Sequence, residues 1–300
     1  MINACHQAHT SLIIGHSHSF NTPVLQARQL IESGTYGSAR LITTANFTDF
    51  MYRPRRPEEL DTSKGGGVIF SQAAHQVDIV RLLAGGNTTS VYARTGAWDD
   101  KRKTEGAYTA LLDFDNGVVA NITYNGYGFF DSDVLMNNVG ELGKIKSAGT
   151  HQKTRSILLS GDEQHEAQKK AERNYGGPSY KNMRHAPPDG FQHFGPVIVS
   201  CDLADLRLTP YGLEIHDGNG IHQHDVFAHQ IPRREVIDEL WSVARRGSQP
   251  LHGGEWSMAT LEVCLAILES AKTRSAIIPV HQVSAESSYA TEWTRDTDAS

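Results

Sequence analysis

The sequence predicts an α+β domain in which a large, mostly antiparallel open sheet carries helices on one face. In the middle third of the chain, β-rich runs follow one another directly, with the hairpin turn signal Asp115-Asn116-Gly117 between two of them. Helical patterns flank these runs, without the regular alternation of strand and helix that marks a parallel sheet. The composition, 39% hydrophobic and 21% charged residues over 300 positions, is typical of a globular protein.

Start and stop signals place the individual elements along the chain. Asn21, or the residue after it, caps a helix that carries Pro23 in its first turn and ends before Gly34. The glycines at 65–67 lead into an apolar helix that ends at Gly85. The other predicted elements are helices at 2–9, 233–246 and 255–272, strands at 11–15, 39–50, 90–98, 108–114, 118–124, 135–146, 197–199, 213–215 and 277–280, and a polar insertion at 151–190.

Charge and composition exclude several functional classes. Twenty-eight basic and 34 acidic residues give a net charge of −6 without a long basic block, which argues against nucleic-acid binding. No apolar run approaches the length of about 18 residues that a membrane helix requires, and the N-terminus lacks the pattern of a signal peptide. Three widely spaced cysteines predict reduced thiols and a cytoplasmic protein.

The first predicted strand ends in Gly15-His16-Ser17-His18-Ser19. Ser17 could be the nucleophile of a hydrolase elbow, but Ser19 replaces the second glycine of that motif and too little chain precedes it. His16 and His18 would share one face of an extended segment, as in the metal pair of a metal-dependent hydrolase. The hairpin-rich middle of the chain lacks the later ligands of such a site. The third interpretation is that both imidazoles line a cleft.

The helix after Gly67 carries the candidate catalytic pair. Helical spacing puts Ser71, His75 and Asp78 at positions i, i+4 and i+7, on a polar stripe. A carboxylate one turn from an imidazole can orient it and raise its basicity, as a general base requires, although the same pair is often a structural hydrogen bond. The neighbouring apolar face, predicted to be buried, consists of Phe70, Ala73, Ala74, Val77, Val80 and Ala84.

An arginine cluster in the loop before the glycines is the candidate anion-binding element. Arg53, Arg55 and Arg56 alternate with prolines, which restrict the loop. The segment could be a solvated basic loop, or it could bind carboxylates, for which the guanidinium group is well shaped. Arg53 and Arg55 would point to the same side if the segment is extended, with Arg56 directed elsewhere.

Residues 65–78, GGGVIFSQAAHQVD, resemble the Gfo/Idh/MocA family of oxidoreductases. The family pattern there is a triple glycine followed by Asp, Gly, His and Asp; this chain keeps His75 and Asp78 but has Ser71 and Ala73 at the first two of those positions. The flanks at 15–37 and 252–256 resemble the family as well. The segments 52–60, 71–81, 200–207 and 252–256 are most similar to its subgroup of phthalate 4,5-cis-dihydrodiol dehydrogenases.

One departure from the family is large. The family begins with a dinucleotide-binding Rossmann domain, but the sequence contains no G-x-G-x-x-G motif and no Glu-Lys-Pro segment with the family's catalytic lysine. The resemblance therefore implies that residues 1–20 are a remnant of that domain, 21–283 an α+β domain for substrate binding and oligomerisation, and 284–300 a polar tail. We expect the chain to begin inside a longer gene and to bind no NAD or NADP by itself.

The resemblance implies NAD(P)-dependent oxidation of a cyclic alcohol or a carboxylated cis-dihydrodiol. It implies no metal, and it implies self-association through the open face of the sheet. A non-catalytic binding or assembly domain is the alternative, since the cofactor site is missing. The expected roles are acid/base for His75 with Asp78 orienting it, hydroxyl binding for Ser71 and Gln72, cleft lining for His16 and His18, and carboxylate binding for Arg53 or Arg55.

Overall fold

The computed structural model describes residues 1–15, 18–147, 149–159, 163–178, 180, 188–226, 231 and 233–285. Its centre is an eight-stranded sheet with the strand order β2-β3-β4-β1-β5-β6-β7-β8. All neighbouring strands are antiparallel except β1 and β4. The strands are β1 Ala39–Phe47, β2 Thr88–Gly96, β3 Ala107–Phe114, β4 Val119–Asn125, β5 Val197–Cys201, β6 Ala204–Thr209, β7 Gly212–Asp217 and β8 Gly220–Asp225.

Helices cover one face of this sheet, which confirms the predicted α+β class. Helices α2, α3 and α7 pack on β6, β1 and β2 respectively, and α3 also packs against α2 and α7. The strands alternate accordingly: Ile42, Leu112 and Ile122 point into the core, while Leu41 and Leu111 remain exposed on the opposite face. The helices are α1 Ile2–Gln7, α2 Thr22–Glu32, α3 Ala74–Ala84, α4 Thr150–Leu159, α5 Glu163–Arg173, α6 Arg234–Arg246 and α7 Gly254–Thr273.

Several predicted strands are wrong. The segments 11–15, 135–146 and 277–280 each form one isolated bridge instead of a strand. In the second of these, Asn137 and Asn138 adopt left-handed backbone angles and the chain turns at residues 140–143, which breaks the extended conformation. Strands β6 and β8 were not predicted, and the polar insertion at 151–190 contains α4 and α5.

The helix after Gly67 begins with a turn of π-helix, Ile69–Ala73, before it continues as α3. The wider turn shifts the helical phase, so Phe70 is 38% exposed and the prediction that it belongs to the buried face is wrong. The glycines before it permit close packing. A Cβ on Gly66 would lie 2.5 Å from the carbonyl oxygen of Glu58.

A buried polar interface joins α3 to α7. Asp78 and Arg81 are both fully buried. Asp78 Oδ1 accepts hydrogen bonds from Trp256 Nε1 at 2.6 Å and Thr260 Oγ1 at 2.7 Å, and Arg81 Nη1 donates to Thr260 Oγ1 at 2.6 Å. The Arg81 guanidinium also lies 4.0 Å from the centroid of the Trp256 ring. These contacts fix the helix that carries His75.

The loop before α7 holds a second buried pair. His252 is fully buried, and its Nδ1 lies 2.8 Å from Glu239 Oε2 on α6. Its other ring nitrogen, Nε2, lies 3.9 Å from Asp78 Oδ2. The Phe20 ring stacks on the imidazole at 3.6 Å. This arrangement connects α6 to the α3–α7 interface.

Among the described helices, none is long and apolar enough to cross a membrane.

Candidate functional site

Two imidazoles meet where α3 begins. The rings of His18 and His75 are edge to face, with centroids 4.9 Å apart, and both contact the ring of Phe194. His18 is 2% exposed, whereas His75 is half-buried. The fold therefore brings His18 and His75 together, and their roles stay predictions.

A stack of aromatic rings forms the wall beside the imidazoles. Tyr124 lies between Tyr108 and Phe194, with centroid separations of 5.8 Å on each side and nearly parallel rings. The Tyr124 hydroxyl is 2.9 Å from Thr48 Oγ1 and donates to Gln72 Oε1 at 3.3 Å. Burial raises the pKa of Tyr124 well above its usual range, so the phenol is neutral at physiological pH. The wall is thus apolar on its face and polar at one edge.

A carboxylate and an arginine complete the cluster. Glu141 Oε1 lies 3.5 Å from His18 Nε2, and its Oε2 lies 4.0 Å from Arg53 Nη1. Burial alone would raise the pKa of Glu141, but the interaction with His18, followed by the charges of Arg53 and His75, lowers it to about 2. Glu141 is therefore ionised throughout the physiological range. We call His18, His75, Glu141, Arg53 and Phe194 the site cluster.

The Arg53 guanidinium is bound to a carboxylate on one side and is partly exposed to solvent on the other. Its Nε donates to Asp49 Oδ1 at 2.7 Å, and its side chain is 39% exposed. Burial would raise the pKa of Asp49, but the Arg53 charge, together with hydrogen bonds from Thr154 and Arg53 and the charge of His151, leaves the pKa below its usual value. An ionised Asp49 thus fixes the guanidinium, while the exposed part of Arg53 can contact an anion.

Arg55 has a different environment from Arg53. Its guanidinium carbon lies 3.4 Å from the centroid of the Phe50 ring, and its side chain is 8% exposed. Arg55 Nη1 is 3.7 Å from Glu59 Oε1, and the Arg55 backbone N–H donates to Glu166 Oε1 at 2.7 Å. Burial, with the nearby Arg53 charge, lowers the pKa of Arg55 to about 10, which still leaves it charged at neutral pH. These contacts favour a supporting role for Arg55.

The predicted hydroxyl-binding residues lie on the π-helical turn. Ser71 Oγ donates to the carbonyl oxygen of Gly67, and Gln72 Nε2 donates to the Ser71 carbonyl at 2.6 Å. Gln72 is joined to the aromatic wall through Tyr124, and so borders the site cluster. Neither binding role is tested by these contacts.

Asp78 was predicted to orient His75. The hydrogen bonds to its Oδ1 come from Trp256 and Thr260 of α7, which gives the carboxylate a clear structural function. Its influence on His75 stays a prediction. His16 and Ser17 lie outside the described residues. Within the described ranges, no group of three or more His, Cys, Asp or Glu side chains is arranged to hold a metal ion.

Sequence reasoning missed Glu141, Asp49 and Phe194. Glu141 lies in a segment that was predicted as a strand, and Phe194 is more than a hundred positions from His75. Of these three residues, only Asp49 could have been found from the sequence, because it precedes Arg53 by four residues, the spacing of a local ion pair.

The described residues do not fit a dinucleotide. No strand in them leads through a G-x-G-x-x-G turn into a helix, so the described part of the chain offers no backbone cradle for a pyrophosphate.

Comparisons with known proteins agree on one family. Residues 24–148 match the GFO/IDH/MocA C-terminal domain. The chain is 44% identical over 276 residues to a 1-carboxy-3-chloro-3,4-dihydroxycyclohexa-1,5-diene dehydrogenase of Comamonas testosteroni, and the match covers 90% of this chain and 69% of that protein.

Solved structures of other proteins share the fold of this chain. A protein from Bordetella bronchiseptica RB50, assigned as a dehydrogenase, superposes with a TM-score of 0.84 at 37% identity, covering 93% of this chain and 72% of that one. An oxidoreductase from Agrobacterium radiobacter, in complex with NAD+, L-tartaric acid and magnesium, shares the fold at 16% identity with a TM-score of 0.60, over 92% of this chain and 67% of that one.

Proposed function

Because the chain belongs to the Gfo/Idh/MocA family of oxidoreductases, we propose that its site cluster binds a carboxylated cyclic diol, of the cis-dihydrodiol type, for oxidation. The observation that carries the proposal is a pair of imidazoles beside an anchored arginine, along an aromatic wall. The Comamonas relative supports the substrate class, since its name describes a ring with one carboxylate and two hydroxyls.

The role that we propose for each residue follows from the chemistry of its side chain. The substrate ring lies over the accessible side of the site cluster, between His75 and Arg53, while the buried rings of Phe194 and Tyr124 support the imidazoles from within the core. His75 accepts the proton that the carbinol hydroxyl loses during oxidation, because its half-buried imidazole is accessible to substrate and an imidazole can serve as a general base. Ser71 and Gln72 bind the hydroxyls, with Asp78 supporting His75 from within α3.

Arg53 is the proposed carboxylate ligand. Its guanidinium is held by Asp49, so little side-chain entropy remains to be lost when an anion binds. Arg55 supports the loop from beneath, through Phe50 and Glu59. His18 supports His75 from the buried side of the cluster, and His16, which lies outside the described residues, stays a prediction from the sequence.

The proposal covers the substrate side of the reaction only. The described residues do not fit a nicotinamide dinucleotide, so we derive no step through that cofactor and propose that the chain by itself binds neither NAD nor NADP. Titration of the purified chain with NADH and with NADPH should leave the nicotinamide fluorescence unchanged. Saturable quenching would contradict this part of the proposal.

Isothermal titration calorimetry tests the substrate class. A cyclohexadiene cis-diol carboxylate should bind the wild-type chain, and Arg53→Gln should weaken that binding about tenfold or more, equivalent to about 1.4 kcal/mol. The uncharged cyclohexadiene cis-diol should bind both proteins equally. Arg56→Gln, on the same loop but more than half exposed, is the matched control and should bind like wild type.

Three outcomes would each contradict a part of the proposal. Absence of binding by the carboxylated diol would reject the substrate class. Equal losses for both ligands in Arg53→Gln would reject the carboxylate role. Turnover of the bound diol when NAD or NADP is added to this chain alone would contradict the proposal that the chain by itself binds neither cofactor.

The proposal extends to assembly and location. The open face of the sheet exposes Leu41, Tyr92, Leu111, Val119 and Ile198, which are paired or adjacent across the strands. A second copy of the chain would cover this apolar surface. The three free cysteines, Cys5, Cys201 and Cys264, support a cytoplasmic location.

A further inference from the structure

Asn21 occupies the N-cap position of α2, yet its side chain makes no capping hydrogen bond. The residue is 5% exposed. Its Nδ2 donates to the carbonyl oxygen of Gln192 at 2.5 Å, and the same nitrogen lies 3.4 Å from His18 Nδ1. An amide that would ordinarily satisfy the end of a helix is therefore directed at an imidazole of the site cluster.

The orientation of the amide decides where His18 can carry its proton. Turning the amide over would bring Asn21 Oδ1 against the Gln192 carbonyl oxygen, so that carbonyl holds Nδ2 in place. Since Nδ2 is only a donor, His18 Nδ1 must accept, and the ring proton resides on Nε2. Nε2 faces Glu141 Oε1 at 3.5 Å.

We propose that Asn21 is a positioning residue, which holds His18 in the neutral tautomer protonated on Nε2 and so leaves His75 as the imidazole that takes up a proton. Two imidazolium rings with centroids 4.9 Å apart would repel each other. Keeping His18 neutral removes that repulsion when His75 becomes charged. The second half of the proposal rests on the proposed function of His75; the first half does not.

The charged groups around His18 have opposing effects on its protonation. Glu141 favours a second proton on His18, whereas His75 and His193 oppose it when they are charged. Asn21 acts against Glu141, because a proton on Nδ1 would face an N–H donor. The neutral state of His18 therefore depends on the amide.

Replacing the amide by a carboxylate should reverse this state. Asn21→Asp is nearly isosteric, and aspartate is as good an N-cap residue as asparagine, so α2 should still form. One oxygen of the new carboxylate accepts a hydrogen bond from Nδ1–H, so that His18 becomes an imidazolium between this carboxylate and Glu141. The Gln192 carbonyl oxygen, which then faces an acceptor in place of the Nδ2 donor, has to move away from its 2.5 Å contact. The titration midpoint of His75 should then fall by about one pH unit, since it gains a charged neighbour.

Nuclear magnetic resonance of the imidazole nitrogens tests the proposal on the full chain, without ligand. In the wild-type protein at neutral pH, His18 should show an unprotonated Nδ1 and a protonated Nε2. In Asn21→Asp both nitrogens should be protonated, and the His75 midpoint should move down. His18→Gln identifies the His18 signals, and Asn219→Asp, at an exposed turn, controls for the added charge.

A wild-type His18 that is protonated on Nδ1, or doubly protonated at neutral pH, would overturn the proposal. An unchanged His18 in Asn21→Asp would do the same. If only the proposed function is wrong, calorimetry will show no diol binding, while the His18 tautomer will still be the expected one.

Discussion

At the scale of single residues, the site cluster depends on a carboxylate that faces three cationic or basic groups. Glu141 has Arg53, His18 and His75 around it, and these lower its pKa to about 2 despite burial. An ionised Glu141 stabilises the positions of Arg53 and His18.

The depressed pKa of Glu141 predicts a pH-dependent contribution to stability. A carboxyl group whose pKa is lower in the folded than in the unfolded chain stabilises the fold above its ordinary pKa and loses that contribution as the pH falls towards about 2. Glu141→Gln should therefore lower the free energy of unfolding by about 2 kcal/mol at neutral pH, and by much less at about pH 3. Urea unfolding at both pH values measures the difference.

The exposed Glu58→Gln is the control for this experiment and should have little effect at either pH. An equal loss for Glu141→Gln at both pH values would show that packing, rather than ionisation, accounts for the effect.

The sequence could identify some of these residues but not their grouping. His75 and Arg53 stand out because of the motif and the cluster in which they occur, and His18 because of the His-x-His pair. Glu141 is a single acidic residue between glycines, with no local pattern to mark it. Its function comes from the turn at 138–146, which brings it to His18 across more than a hundred positions.

At the scale of elements, α3 combines an irregular start with a rigidly held body. The π-helical turn sets the direction of Ser71 and Gln72, and the buried contacts of Asp78 and Arg81 with α7 fix the rest. A π-turn at the edge of a site is a common feature of functional helices. The position of His75 therefore depends on α7 as much as on its own helix.

Loss of the Arg81 side chain should destabilise the protein strongly. Burial lowers the pKa of Arg81 to about 10, partly offset by Asp78, and the charged guanidinium donates to Trp256, Thr260 and Val283. Arg81→Met would leave Asp78 buried without this counter-charge, which should cost about 3–5 kcal/mol. Urea unfolding measures the loss.

Arg245→Met, in the last turn of α6 and exposed, is the matched control and should change stability by less than about 0.5 kcal/mol. A comparably small effect of Arg81→Met would show that the α3–α7 interface does not depend on the buried charge.

Element boundaries were predicted well where a local signal exists. Pro23 and Gly34 delimit α2, and Gly85 and Gly247 end α3 and α6 in left-handed conformations. The phase of the helix after Gly67 was wrong, because nothing in the sequence marks a π-turn. The segment 135–146 has a strand-like composition but lacks a partner strand, so only tertiary pairing could decide its conformation.

At the scale of the whole molecule, the two faces of the sheet differ. One face is covered by α2, α3 and α7, and the other exposes apolar residues on the central strands. This two-sided character was predictable from the alternation within each strand. The strand order, in which β1 lies parallel to β4 at the centre, was not predictable. No local signal in the sequence distinguishes a parallel from an antiparallel neighbour.

The exposed face predicts self-association. Light scattering should give a mass above the 33.0 kDa of one chain. Leu41→Lys combined with Leu111→Lys should reduce the mass to that of a monomer, because two charges on the apolar surface oppose its burial. Ile278→Lys, an exposed apolar position outside the sheet, should leave the mass unchanged. A strict monomer at high wild-type concentration would contradict this prediction.

The most direct test of the proposed site is a crystal structure of the chain soaked with a cyclohexadiene cis-diol carboxylate. We predict that the ring lies between His75 and Arg53, on the accessible side of the site cluster, that a hydroxyl is within hydrogen-bond distance of His75, and that the carboxylate contacts Arg53. A ligand bound away from the site cluster, or one that places its carboxylate on a group other than Arg53 and its hydroxyls far from His75, would contradict the account.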